Sequence, residues 1–362
     1  MSKDIFPSLF IPGPTNVPDD VLAAQTLPMV GHRTENFETL FAQIQEKLRA
    51  LFFTQSRVYM LAASGSAFQE AAIRNGVQCK VINFVNGAFS NRWHDVSVGC
   101  DKDAIAVEVE WGKAVTPQIV LNALADHPDT EAITVVLNET STGVCSPIGD
   151  IASAVRDANP NVLIFVDAVS GFAGVKIPFD EWRLDICLTS SQKALAVPPG
   201  LAFAAVSDRT LDKAKTVSGR GWYLDFINLE KYMLRNTTPA TPAISLARAM
   251  NVQLDRIMQE GIEARFERHA RLAARTRQWA IDQEFSLFAE AGYESPTVTT
   301  IGNARGVDIG AMLKTMNEQG FAFSNGYGHL KGKGFRIAHM GDVTDQEMDT
   351  ALATLTTYLE TL

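Results

Sequence analysis

The stretch NVLIFVDAV, residues 161–169, is a nearly continuous apolar run interrupted near its end by one acidic residue, Asp167. A continuous apolar run of this length is typical of a strand that is buried on both faces. Six further runs share this character: RVYMLAA (57–63), KVINFV (80–85), AIAVEV (104–109), AITVVLN (132–138), DICLTS (185–190) and LAFAAVS (201–207). Because helical stretches lie between many of them, the sequence predicts an α/β fold with a mostly parallel central sheet covered by helices.

The pattern changes near residue 257, where a long charged helix, IEARFERHARLAARTRQWAIDQ, follows the alternating strands and helices. Strands near TVTTIG and FRIAHM and helices near DIGAMLKTMNEQG and DQEMDTALATLTTYLETL complete the chain. We therefore expect two domains, a large α/β domain over residues 1–257 and a small α+β domain over residues 258–362.

The composition of the 362 residues favours small-molecule chemistry. Hydrophobic residues make up 46% of the chain, and the net charge of -9 disfavours nucleic acid or an anionic membrane as the main partner. No run of about 18 apolar residues suggests a membrane span. The four scattered cysteines form no CxxC motif, and the histidines lack metal-ligand spacing, so we expect no metal site and a cytoplasmic protein with reduced thiols.

Three strand ends carry unusual side chains. Ser64, Gly65 and Ser66 follow the first strand and precede a helix, and such a loop of small residues can hold a phosphate at the helix N-terminus. Asp167 ends a buried strand, and Lys193 in SSQKALAVPPG follows the next strand among apolar neighbours. Each charge is costly to bury unless it is paired. Since ligands bind at the carboxyl ends of parallel strands, we expect all three features to meet in one site.

Each of these features also has an ordinary structural explanation. Ser66 and Gln69 have the spacing of a capping box, so the loop after the first strand could be a simple helix start. Asp167 could cap a helix or bind magnesium. No G-x-G-x-x-G or Walker motif is present, which disfavours a nucleotide in the phosphate loop.

Pyridoxal 5'-phosphate satisfies the three features together. Its phosphate suits the small-residue loop, its ring nitrogen stays protonated beside Asp167, and its aldehyde forms a Schiff base with Lys193. Lys193, once released by an incoming amino acid, is then available to move a proton at the substrate carbon. We therefore expect Lys193 and Asp167 to be the catalytic residues.

Nine motifs along the chain resemble those of the class V, fold-type I pyridoxal-phosphate aminotransferases. They occur in the family's order: IPGPTNVP, GHRTENF, SGSAFQEAA, NGAFSNR, NETSTGV, VDAVSG, SSQKAL, TTPATP and LKGKGFRIAHMG. The chain is most similar to the branch of alanine-glyoxylate, serine-glyoxylate and serine-pyruvate aminotransferases. The resemblance implies a homodimer with shared active sites, and an N-terminal segment, residues 1–16, that packs near the small domain and the active site.

The resemblance also implies roles for particular residues. Thr238 would contact the phosphate bound by the partner subunit, although Arg235 stands where some relatives have tyrosine. Phe89 would stack on the cofactor ring, and Val169 would pack beneath it. The full set of expected cofactor-binding residues is Ser64, Gly65, Ser66, Phe89, Thr140, Asp167, Val169, Gln192, Lys193 and Thr238.

Arg336, in FRIAHMG, resembles the family's substrate-binding arginine, and a guanidinium can bind a carboxylate through two hydrogen bonds. The resemblance favours alanine or serine as amino donor and glyoxylate or pyruvate as acceptor, in a ping-pong reaction. Phosphoserine with 2-oxoglutarate is an alternative, because His32, Arg33, Lys331 and Lys333 could form a basic rim.

Two other functions remain open. A class V lyase or desulfurase would use the same cofactor, but it needs a reactive cysteine on a mobile loop, and neither Cys145 nor Cys187 is placed in this way. A catalytically silent module that binds the cofactor is the other alternative. The presence of Lys193, Asp167 and Arg336 together favours an enzyme.

Overall fold

The structure is a computed structural model that describes residues 6–362. The strands are β1 (Ser8–Leu9), β2 (Arg57–Leu61), β3 (Lys80–Val85), β4 (Asp103–Glu108), β5 (Ala132–Val136), β6 (Asn138–Glu139), β7 (Val144–Cys145), β8 (Leu163–Asp167), β9 (Ile186–Ser190), β10 (Ala202–Val206), β11 (Ser286–Leu287), β12 (Val298–Gly302), β13 (Phe321–Ala322), β14 (Ser324–Asn325) and β15 (Gly334–Ala338). The apolar runs of the sequence thus form strands close to the expected positions.

The α-helices lie between these strands. They are α1 (Asp19–Ala23), α2 (Glu35–Phe52), α3 (Ser66–Gly76), α4 (Ala88–Gly99), α5 (Pro117–Asp126), α6 (Ile148–Ala158), α7 (Asp208–Ala214), α8 (Phe226–Met233), α9 (Ile244–Glu260), α10 (Ile262–Asp282), α11 (Ile309–Glu318) and α12 (Asp345–Leu359). Within residues 6–362, none of the helices combines the length and apolar character that a bilayer crossing requires.

A seven-stranded sheet forms the centre of the fold, in the order β2-β10-β9-β8-β5-β3-β4. The strands from β9 to β4 are parallel, and β10 runs antiparallel to both of its neighbours. The predicted α/β fold with a mostly parallel sheet is therefore confirmed.

Strand β8 shows why its sequence is almost wholly apolar. Ile164 and Val166 pack into the hydrophobic cluster on one face of the sheet, and Leu163 and Phe165 pack into the cluster on the other. Gly76 of α3 allows this close packing, because a Cβ atom there would lie 2.3 Å from the Phe165 ring. A strand with helices on both faces has no solvent-facing positions for polar residues.

A second, four-stranded sheet has the order β11-β12-β15-β14, with antiparallel neighbours, and packs with α10, α11 and α12 around its own core. The N-terminal segment runs beside it: β1 pairs with β13, and the N–H group of Ala338 donates to the carbonyl of Phe10. Residues 1–5 of that segment lie outside the described residues. Residue 257 lies near the end of α9, and the domain boundary there stays a prediction.

Candidate active site

The three strand ends singled out in the sequence line one cavity. Asp167 is the last residue of β8, Lys193 follows β9, and Gly65 and Ser66 lie between β2 and the first turn of α3. The parallel register of β8 and β9, which pairs Asp167 with Leu188, places both ends at the same edge of the sheet. The residues that line the cavity are Gly65, Ser66, Gln69, Phe89, Arg92, Val136, Asn138, Thr140, Asp167, Val169, Ser170, Ser190, Gln192 and Lys193.

Asp167 is buried, with 5% of its surface exposed. Burial raises the pKa of its carboxyl group to about 6, although hydrogen bonds from the Val169 N–H and the Gln69 side chain act in the opposite direction. These bonds measure 2.8 Å to Oδ1 and 2.7 Å to Oδ2. With a pKa of about 6, Asp167 is mostly ionised at neutral pH.

The alternative interpretation of Ser66 and Gln69 as a capping box at the start of α3 is wrong. Gly65 occupies the N-cap position, and no side chain of the described residues caps the helix there. Ser66 is instead the first helical residue, and Gln69 points its amide at Asp167. Because a side chain in the first turn of α3 can reach the end of β8, Gln69 stabilises a carboxylate rather than a helix end.

Lys193 supplies an amine to the cavity. Burial lowers the pKa of its amino group to about 8, the nearby charges of Arg336 and Arg92 act in the same direction, and Asp167 opposes them. Its Nζ atom donates to the carbonyl oxygen of Pro12. A lysine with a lowered pKa is neutral more often at physiological pH, and a neutral amine is the nucleophilic form.

The N-terminal segment covers Lys193. Gly13 has a φ of +104°, and a Cβ atom there would lie 2.6 Å from Cδ of Lys193. The Thr15 hydroxyl donates to the Lys193 carbonyl over 3.1 Å, and the Thr15 N–H donates to the Gln192 carbonyl over 3.2 Å. Residues 12–15 therefore hold the lysine in place, and only glycine suits position 13.

The cavity offers polar groups that suit a phosphate. Ser190 Oγ and Gln192 Oε1 are buried without a hydrogen-bond partner among residues 6–362, although both residues line the cavity. Gly65 lets the start of α3 approach closely, because a Cβ atom there would lie 2.6 Å from Cγ2 of Val169. The unpaired hydroxyl of Ser190 and the N–H groups at the start of α3 are donors that can bind an anion, whereas the unpaired Oε1 of Gln192 is an acceptor, so Gln192 could bind a phosphate only through its NH2 group. The residues present therefore fit pyridoxal phosphate, with an acid for its ring nitrogen and an amine for its aldehyde.

The side walls of the cavity carry the other expected ring contacts. Phe89 lies in the first turn of α4, half-buried, and Val169 follows Asp167. The Thr140 and Ser170 hydroxyls are 2.5 Å apart, which fixes the loop after β6 against the loop after β8.

Arg336 is a buried residue of β15, with 7% exposed. Its Nε donates to the Asn325 carbonyl over 3.1 Å, and its Nη1 donates to the Thr140 carbonyl over 3.2 Å. Burial lowers its pKa to about 10, so it stays charged at neutral pH. A guanidinium has five N–H donors, and the donors not used by Asn325 and Thr140 are available for an anion.

Two of the expected cofactor residues lie apart from this cavity in the single chain. Ser64 is exposed and accepts a bond from Ala67 through its carbonyl. Thr238 is buried and donates to the Ala240 carbonyl, and it lines a separate small cavity beside Met60 and Leu61. The structure thus does not join Thr238 to Lys193 within one chain.

Sequence reasoning missed several residues of the site. The sequence pattern assigns Gln69 to a cap and gives Pro12 and Gly13 no role beside the lysine. Arg92 also lines the cavity, with its guanidinium carbon 4.9 Å from the centre of the Phe89 ring. The spacing of three residues on α4, which puts both side chains on one face, was the signal that could have identified Arg92.

Glu139 was also missed. This fully buried carboxylate accepts bonds from the Phe89 and Ser90 N–H groups at the start of α4, at 3.1 and 2.9 Å to Oε2. It also accepts from the Ser141 hydroxyl over 2.6 Å. Glu139 thereby fixes the helix turn that carries Phe89.

Neither Cys145 nor Cys187, the two cysteines considered for a lyase or desulfurase, suits sulfur chemistry. Burial raises the pKa of the Cys145 thiol to about 12 and that of Cys187 above its ordinary value. A desulfurase nucleophile must be a thiolate on an accessible loop, whereas Cys187 lies inside β9.

Known proteins resemble this chain over nearly its whole length. The family model for aminotransferase class-V matches residues 9–331. An aminotransferase of Methanocaldococcus jannaschii is 39% identical, with 95% of this chain and 90% of the relative covered. Serine–glyoxylate aminotransferase of Methylorubrum extorquens is 33% identical, with 95% and 89% covered. The crystal structure of alanine–glyoxylate aminotransferase from Nostoc sp. superposes with a TM-score of 0.91 at 30% identity, covering 97% of this chain and 95% of that one.

Proposed function

Since this chain belongs to the aminotransferase class-V family and is a pyridoxal-phosphate-dependent transaminase, we propose that it transfers the amino group of alanine or serine to a 2-oxo acid such as glyoxylate or pyruvate. The relatives named for serine–glyoxylate and alanine–glyoxylate transfer support this choice of substrates. The observation that supports the transaminase chemistry is that Lys193, Asp167 and the groups proposed to bind the phosphate line one cavity.

Bound pyridoxal phosphate supplies an aldehyde that takes up an amino group and a ring that withdraws electrons from the substrate carbon. Asp167, ionised at neutral pH, would keep the ring nitrogen protonated. The Lys193 amine would bind the aldehyde carbon covalently in the resting enzyme. When it is not bound to the aldehyde, the Lys193 amine would act as the base that moves the proton of the substrate α-carbon.

Ser190, Gln192 and the start of α3 would hold the phosphate, and Phe89 and Val169 would contact the two sides of the ring. Thr140 would bind near the ring oxygen. Arg336 would bind the substrate carboxylate and so set the α-carbon near Lys193, whose lowered pKa depends partly on the Arg336 charge.

We also propose a homodimer in which Thr238 reaches the partner's phosphate. Large apolar side chains are exposed near its loop, with Trp222 59% and Leu234 71% accessible in the single chain, and such exposure is typical of an interface. We further propose that the chain divides into two domains near residue 257. We also propose a cytoplasmic location, because the cysteines of the sequence suggest reduced thiols.

A spectral titration tests the choice of substrate. The holoenzyme is mixed with alanine, serine, aspartate and phosphoserine in turn, and conversion of the cofactor to its amine form is followed by absorbance. Alanine or serine should convert it fastest. Faster conversion by phosphoserine would favour the alternative substrate pair, and no conversion by either alanine or serine would contradict the proposed amino donor.

A further inference from the structure

The ring of Tyr327 lies between two residues of the proposed site. It stacks on Phe89, with ring centres 5.4 Å apart and ring planes at 30°. The guanidinium carbon of Arg336 lies 5.5 Å from the centre of the same Tyr327 ring. Phe89 belongs to α4, which packs against the seven-stranded sheet, whereas Arg336 belongs to the four-stranded sheet. Tyr327 therefore contacts both Phe89, which is expected to stack on the cofactor ring, and Arg336, which is expected to bind the substrate carboxylate.

The contact with the Tyr327 ring helps to give the guanidinium plane of Arg336 a single orientation. Its bonds to Asn325 and Thr140 fix two points of the planar group. Two points leave the plane free to tilt about the line that joins them. The face of the Tyr327 ring, 5.5 Å from the guanidinium carbon, restricts this tilt, because a cation is attracted to the face of a ring within about 6 Å. The remaining N–H groups of Arg336 then point in one direction.

The loop that carries Tyr327 is held in place. Gly328 has a φ of +55°, and a Cβ atom there would lie 3.0 Å from the Trp111 ring. His329 lies against the same tryptophan, with ring centres 4.5 Å apart. Tyr327 itself is 39% exposed, so replacing it leaves the hydrophobic core intact.

We propose that Tyr327 is a positioning residue, which orients the free N–H groups of Arg336 for the substrate carboxylate while holding the Phe89 ring. The inference rests on the proposed function, because it requires Arg336 to bind that carboxylate. Both contacts are made by the ring of Tyr327, so the hydroxyl group should be dispensable.

The test compares Tyr327→Phe with Tyr327→Leu, and with Tyr327→Met as a second flexible side chain. Binding of propionate, which is alanine without its amino group, is measured by calorimetry on the holoenzyme. The Leu and Met variants should raise the dissociation constant of propionate and the KM for alanine about tenfold, with kcat changed less than about threefold. Tyr327→Phe should stay within about twofold of the parent in both quantities.

Ethylamine, which has no carboxylate, should react with the cofactor of all variants at similar rates. Parent-like affinity for propionate in the Leu and Met variants would overturn the inference, and so would an equal loss in Tyr327→Phe. Arg336→Ala separates this outcome from failure of the proposed function. If Arg336→Ala weakens propionate binding and Tyr327→Leu does not, only the role of Tyr327 is wrong. If Arg336→Ala has no effect on propionate binding, the carboxylate binds elsewhere. The proposed role of Arg336 and the positioning role of Tyr327 are then both wrong.

Discussion

The side-chain amide of Gln69 donates a 2.7 Å hydrogen bond to Oδ2 of Asp167, joining the first turn of α3 to the end of β8. The Val169 N–H donates to the other carboxylate oxygen. Since both donors favour the charged form, they limit the rise in pKa that burial imposes on Asp167. The carboxylate is thus kept ionised at neutral pH in an apolar strand end, as the protonated ring nitrogen of the cofactor requires.

Asp167→Asn should bind pyridoxal phosphate and lose most of the transamination activity. A neutral amide cannot hold the ring nitrogen protonated, and loss of such a charged contact costs about 3 kcal/mol or more in the transition state, or a rate lower by about a hundredfold. Single-turnover rates with alanine measure the effect. Gln69→Leu, which keeps the carboxylate but removes one donor, should lose less. Parent-like rates in Asp167→Asn would exclude the assigned role.

Covalent binding of the cofactor to Lys193 in the apoenzyme should depend on pH through the lysine pKa of about 8. Only the neutral amine reacts, so the rate should rise about tenfold per pH unit below 8 and level off above it. Arg92→Leu removes a neighbouring positive charge and should shift this break to higher pH. Stopped-flow absorbance at several pH values gives the profile. A rate that keeps rising to about pH 10 would show an unperturbed lysine.

Gly13→Ala should weaken cofactor binding, because the new Cβ atom would lie 2.6 Å from Cδ of Lys193 and displace the amine. Gly219→Ala is the matched control: Gly219 also has a positive φ, of +75°, but among residues 6–362 no atom outside its own neighbours lies within 4 Å of the position its Cβ would take. Both changes place a Cβ atom on a residue with positive φ, which strains the backbone in either variant. The dissociation constant for pyridoxal phosphate should therefore rise only in Gly13→Ala, and an equal rise in both variants would point to general destabilisation.

Arg336→Ala should still bind the cofactor while its reaction with amino acids weakens about ten- to a hundredfold. A charge-assisted hydrogen bond to the substrate carboxylate contributes roughly 1.5 to 3 kcal/mol, and simple amines lack that carboxylate. Half-reaction rates with alanine and with ethylamine give the comparison. Equal losses for both would mean that Arg336 serves the fold, and the carboxylate contact would then be sought at Arg33 or Arg235.

The sequence was sufficient to locate Asp167 and Lys193 because a buried strand has a simple pattern. An acidic residue or a lysine that interrupts an apolar run stands out, and the parallel sheet brings the strand ends together. Contacts between distant segments have no such pattern. Thr15 meets Lys193 across 178 positions of the chain, and Gln69 meets Asp167 across 98. The local spacing of Ser66 and Gln69 predicted a helix cap, whereas the tertiary contact with Asp167 determines where the Gln69 side chain lies.

The covalent attachment site of the cofactor tests the central claim most directly. The purified protein, incubated with pyridoxal phosphate, should be yellow, and reduction with borohydride should fix the cofactor to one residue. Peptide mass spectrometry should then find the label on Lys193 and nowhere else, and Lys193→Ala should carry none. A label on another lysine, or no label after incubation with the cofactor, would contradict the account.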